Sequence, residues 1–244
     1  MGNWATRYMR KDLVVTVAVL CSPLILAVAQ KSGTLSGDLF QQQVGALRVE
    51  DQSILVGILA VTRSAGLPLS VEYPLAAKAG PEPPLRTVTG TVNPGTVSQV
   101  LDRLCAFDPT FTWIRNGSMV NVTLTSLAND PSYFLNRKIA QLTFENERNA
   151  QDAIFKTAAQ LPGPKEQIAI FQTGMSLDFA RPWTVTFKDV TVREVFDRIA
   201  QQFGPTYGWE FSGSEDFRMI TFHESLVIKP RQSKDEQTRT APSK

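Results

Sequence analysis

The chain has 244 residues, of which 43% are hydrophobic and 20% charged, with one histidine and two cysteines. That length suits one or two domains, and the composition is that of a chain that folds. A formal charge of +2 is too small for the clustered basic face that nucleic-acid binding needs, so nucleic acid is not an expected partner.

Residues 1–29 read as an export signal. Arg7, Arg10 and Lys11 precede LVVTVAVLCSPLILAVA, an uncharged run of 17 residues that closes on Ala27-Val28-Ala29. A basic start, an apolar stretch and a small-x-small ending make a secretory signal peptide. The run also reaches the lower limit for crossing a bilayer, so an uncleaved N-terminal membrane anchor is the alternative, and membrane contact is expected through this segment only. A bulky Leu20 directly before Cys21 argues against lipidation there. The segment holds three basic residues and one acidic, so 22 of each sign remain after it. Of the cysteines only Cys105 remains, and a lone thiol forms no intramolecular disulfide. It is expected to be buried and inert on the apolar side of a helix.

A strand is expected at 46–50 and a helix at 54–65, with Ile54, Leu55, Ile58, Leu59 and Val61 apolar and Gly66 ending it. Residues 69–73 extend again, and the Ala79–Pro84 stretch (AGPEPP) reads as a rigid surface loop. Thr96 with Gln99 forms a capping box, and Val97, Val100, Leu101 and Leu104 make the stripe of an amphipathic helix. Pro109 stops that helix, and Phe111 and Trp113 then alternate on one strand face before the Asn116-Gly117 turn. Leu127–Arg137 reads as a linker.

The second half spells the same grammar. A strand is expected at 139–145, a helix at 150–160, a strand at 167–172 and a loop at 174–182. TVREVFDRI (191–199) then matches TVSQVLDRL (96–104), and FGPTYGW (203–209) matches FDPTFTW (107–113). Thr191 and Glu194 repeat the capping box. Tyr207, Trp209 and Phe211 alternate as their counterparts do. Arg193 with Asp197, and Glu194 with Arg198, are opposite charges four apart and are expected on a solvated helix face, as is the Asp-Arg dipeptide common to both copies. Glu215 and Asp216 read as a loop tip.

The repeating unit is about 95 residues long. The expected fold is α+β: two tandem small β-α-β-β-α-β-β domains, each with two helices packed on small mixed sheets. They span 40–126 and 138–226, joined by 127–137, and a polar tail at 227–244 is expected to be disordered.

The stretches Thr87–Leu124 and Trp183–Phe222, each a strand, a T-V-x-x-V-x-D-R helix and an aromatic hairpin, resemble the secretin and TonB N-terminal short domain. The resemblance implies small α+β periplasmic domains that bind other proteins and carry no catalytic residues. The expectation is therefore an exported, non-enzymatic protein-binding module of the bacterial envelope, an accessory or signalling component of a secretin, pilus or TonB-receptor-type assembly. It is expected in the periplasm or secreted, or anchored to the inner membrane, with a protein partner and no cofactor.

The residues themselves leave a second reading open, a periplasmic protein that binds a small ligand or glycan. Trp113, Tyr207 and Trp209 are the candidate partner- or ligand-binding residues, although core burial is the commoner fate of alternating strand aromatics. An enzyme is the least favoured reading. One histidine and one cysteine outside the signal supply neither a Cys–His dyad nor a His-rich metal shell, and no catalytic, cofactor or metal residues are assigned.

Overall fold

The computed structural model describes residues 37–74, 86–161, 168–171, 176–213 and 218–224. The expected export signal, the AGPEPP stretch, Glu215, Asp216 and the expected polar tail lie outside the described residues. The protein is α+β. In chain order the first repeat supplies β1 (Gln43–Val44), β2 (Leu47–Gln52), α1 (Ile54–Ser64), β3 (Leu69–Pro74), β4 (Val88–Val92), β5 (Gly95–Thr96), α2 (Val97–Phe107), β6 (Phe111–Asn116) and β7 (Met119–Leu124). The second supplies β8 (Lys138–Asn149), α3 (Ala150–Ala159), β9 (Ile168–Phe171), β10 (Asp178–Thr191), α4 (Val192–Phe203), β11 (Tyr207–Gly213) and β12 (Arg218–Glu224). Both capping boxes form, with Thr96 accepting from the Gln99 amide and Thr191 from the Glu194 amide.

The repeats agree in register as well as in element order. Leu47 faces Val92, Val49 faces Gly90 and Gln52 faces Val88; 95 positions on, Leu142 faces Phe187, Phe144 faces Val185 and Glu147 faces Trp183. Both ribbons break register at the same place. There Asp51 and Asn146 take positive φ, 48° and 53°, a conformation short polar side chains tolerate. The Asp51 and Asn146 amides donate to Thr89 Oγ1 and Thr184 Oγ1, each at 3.0 Å. In the second repeat β10 runs unbroken through Asp189 at φ 52°. The first repeat has Pro94 at that position, and a ring that holds φ near −65° splits the strand into β4 and β5.

Two expected segments come out differently. The expected loop at 174–182 gives way at Asp178 to β10, because Phe179 finds a buried place against Trp183 and Phe203. The expected linker 127–137 is packed. It contains a 3-10 turn, Phe134–Asn136, whose Phe134 stacks on Phe211 and whose Leu135 is fully buried. This turn is the counterpart of Leu39–Gln41 in the first repeat, and each opens its unit. The amide of Val97 donates to Gln42 and that of Val192 to Arg137, again 95 apart.

Each repeat lays its two helices between its β-ribbon and its share of a larger sheet. That sheet is continuous across the repeats, in the order β6-β7-β3-β11-β12-β9. The seam is the parallel pairing of β3 with β11, Val71 opposite Glu210 and Glu72 opposite Phe211. Residues opposite one another share a face, which places Val71 and Val122 on one face and Ser70, Asn121, Glu72 and Phe211 on the other. Val71 and Val122 pack with α1 and α2, whereas Phe211 and Trp209 pack with α3 and α4. The two helix pairs therefore cover opposite faces of one sheet, each centred on its own strands.

Candidate functional site

The densest polar cluster among the described residues lies along this seam. Arg193 on α4 projects to β3, where its Nε and Nη2 donate to Glu72 at 2.5 and 3.0 Å, and its Nη1 donates to Asn136 Oδ1 at 2.5 Å. Burial alone would lower the Arg193 pKa, but the Glu72 carboxylate beside it raises it, so the guanidinium stays charged. Tyr133, beside Glu72, is held well above its ordinary value by burial and by that carboxylate. One turn further along α4, Asp197 is 1% exposed and accepts three hydrogen bonds. Trp209 Nε1 binds Oδ1 at 2.7 Å, while Asn116 and Asn121 bind Oδ2 at 2.6 and 2.9 Å. Burial pushes the Asp197 carboxyl up to about 7, against the opposing pull of the two asparagines, Trp209 and Arg193.

The solvated-face expectation thus fails for Arg193 and Asp197. Four apart on one helix, they reach across to β3 and to the first hairpin instead of pairing with one another in water, because the continuous sheet brings those strands beneath α4. It holds for the first copy of the dipeptide: Asp102 is exposed and accepts from Trp113 Nε1 at 2.8 Å. Each repeat therefore joins its helix aspartate to its heptad tryptophan. Only the second copy of that bond is sealed and extended by residues of the other repeat.

Of the three candidate binding aromatics, Trp209 is fully buried and offers no ring face to a ligand. Tyr207 is half-buried and packs on Phe203. Trp113, also half-buried, stacks on Phe40 with ring centroids 5.8 Å apart, and Arg115 lies over the other ring while pairing with Asp38. The structure does not bring the three into one platform: Trp113 belongs to the core of the first repeat, Tyr207 and Trp209 to that of the second. Cys105 is buried, as expected, and burial pushes its thiol up to about 11, with Asp102 and Asp108 adding to the shift, so it stays a thiol at neutral pH.

Sequence reading missed Glu72, Asn116, Asn121 and the outward reach of Arg193. One signal was available, the joint repetition of Asp and Trp at nearly constant spacing, which is the signature of a bond made in both copies. A cavity of about 410 Å³ opens beside the cluster, between β6, the segment after β7 and the start of α4. Its polar wall of buried Arg193 and half-buried Asn136 is already engaged within the seam. Among the described residues no group of three or more His, Cys, Asp or Glu is placed to hold a metal. Compared with protein-family models, with curated proteins and with solved structures, the chain matches none.

Proposed function

We propose that this chain is a non-enzymatic protein-binding module exported to the bacterial cell envelope, where it serves as an accessory or signalling component of a secretin, pilus or TonB-receptor-type assembly. The observation that carries the reading is the outer edge of β6. The Thr125 amide donates to the Thr110 carbonyl, so in this antiparallel pair the main-chain groups of Thr112 and Ile114 turn to β7 and those of Trp113 and Arg115 turn outward. Among the described residues no strand pairs that edge. Its counterpart in the second repeat, the edge of β11 at Trp209 and Phe211, is the one that takes up β3. The fold thus contains one example of strand addition to this edge and presents a second copy of it open. Strand addition to an exposed edge is a common mode of peptide recognition. The strongest polar cluster, by contrast, is consumed in holding the repeats together.

The test is crosslinking of the tagged full chain in an envelope fraction, comparing the native protein with Arg115→Pro. Proline at that outward position removes one edge donor and leaves the β7 ladder intact. A reproducible protein partner is expected for the native chain and a sharp loss of it for the variant. Recovery of the native protein alone would defeat the reading.

A further inference from the structure

We propose that Asp197 is a proton-operated latch on the seam, whose ionisation sets how firmly the first hairpin is held against the second repeat. The geometry is that of a carboxylate enclosed by parts of both repeats. Its two oxygens receive donors from its own β11 (Trp209), from β6 (Asn116) and from β7 (Asn121). From α4 itself Arg193 faces it, but that guanidinium is bound to Glu72 of β3 and to Asn136. Arg198, the other α4 cation nearby, is bound to Gln201. A buried carboxylate with no cation of its own carries an unbalanced charge across the seam. Protons reach it without unfolding, because it lines a cavity of about 360 Å³ between the Asn116–Ser118 turn and α4.

Burial lifts the Asp197 carboxyl from 3.8 to about 7. A folded value above the unfolded one means that the native state holds a proton the unfolded chain has already released. The stabilisation is full below the unfolded value, declines as pH rises toward the folded value, and is gone above it. The seam is accordingly firmest in mild acid and loosens through neutrality. His223 gives the opposite trend: burial lowers its pKa, with Arg63 adding to the effect, so its protonation on acidification costs stability. The direction of the pH effect therefore separates the two groups.

The experiment is an NMR titration of the full chain that follows the Trp209 indole N–H, together with thermal unfolding at about pH 5.5 and about pH 8. The indole resonance is expected to titrate with a midpoint near neutrality, and the native chain to melt several degrees higher at the lower pH. Asp197→Asn, nearly isosteric, is expected to abolish both effects. An indole resonance that stays still across this range would overturn the proposal, as would an Asp197→Asn variant that keeps the native pH dependence. Should that variant fail to fold, Asn116→Ala removes one donor from the carboxylate without touching the core. It is expected to move the midpoint to higher pH, and an unmoved midpoint would equally overturn the latch.

Discussion

The two heptads, FDPTFTW at 107–113 and FGPTYGW at 203–209, differ in three residues, and two of the differences separate the fates of the hairpins that follow. In the first, Asp108 is buried and its carboxylate accepts from the Thr110 amide at 3.2 Å, closing a turn within its own repeat. The second has Gly204 there, at φ 154°, a backbone conformation suited to glycine. In the first, Thr112 sits in an edge strand. The second has Gly208, where β3 crosses so closely that an added Cβ would lie 1.8 Å from the Leu69 carbonyl oxygen. The same duplicated hairpin thus becomes an open edge in one repeat and a seam in the other. Removing one side chain admits a neighbouring backbone, and retaining it keeps that backbone away.

The largest way to break this contrast is to make the second heptad like the first at that position. Gly208→Thr sets a side chain against backbone that cannot move aside, and is expected to cost more than about 4 kcal/mol and to part β3 from β11. The reciprocal Thr112→Gly is expected to cost only about 0.5–1 kcal/mol, the price of glycine in a strand. Denaturant unfolding measures both, and a mild Gly208→Thr would mean that the close crossing is not what joins the repeats.

The seam ion pair comes next. Arg193→Met leaves Glu72 charged and enclosed, and is expected to lose about 3 kcal/mol. Adding Glu72→Met should restore most of it, since two packed apolar side chains replace a buried pair at little cost. At the corresponding position the first repeat has Ser98, which donates to the Phe40 carbonyl at its own N-terminal turn, and Ser98→Ala should cost no more than about 1 kcal/mol. Failure of the double variant to recover would mean that the pair supplies more than mutual neutralisation.

The smallest of these comparisons sharpens the contrast at the aspartates. Asp197→Ala strands the buried donors of Trp209 and Asn121 and the half-buried one of Asn116, and is expected to cost about 2–3 kcal/mol, whereas Asp102→Ala removes an exposed hydrogen bond and should stay at or below about 1 kcal/mol. Equal losses at the two sites would show that the indole bond, and not its burial by the other repeat, carries the energy.

Much of the architecture was legible because its causes are local. Thr96 and Thr191 start helices through amides three residues away. The stripes Val97–Leu104 and Val192–Ile199 state which face is buried, and Pro109 and Pro205 state where each helix stops. The start of β10 was harder to read. Pro182 suggested a loop, yet the ladder resumes around it with a register shift between Asp178 and Trp183. The turn at Phe134–Asn136 was hidden in an apparent linker, because a three-residue element has no periodicity to detect. Within the candidate site the aromatics were visible, but not their separate fates. Trp113 and Trp209 stand on strands with the same pattern, and the local difference that separates them, Thr112 against Gly208, takes its meaning only from the strand that arrives beside it.

The sequence by itself determined the α+β class, the repeated order of elements, their caps and the apolar stripe along each helix, since each of these is written in local residues. The tertiary structure decided that the units share one sheet, that their helices lie on opposite faces of it, and that a pair of charges expected in water is enclosed. Those outcomes rest on meetings between residues 76 to 139 positions apart, Asn121 with Asp197, Glu72 with Arg193 and Ser70 with Trp209. They rest also on a crossing that one absent side chain permits at Gly208. Burial is a property of what arrives from elsewhere in the chain, and a helix face carries no local mark of the strand that will come to cover it.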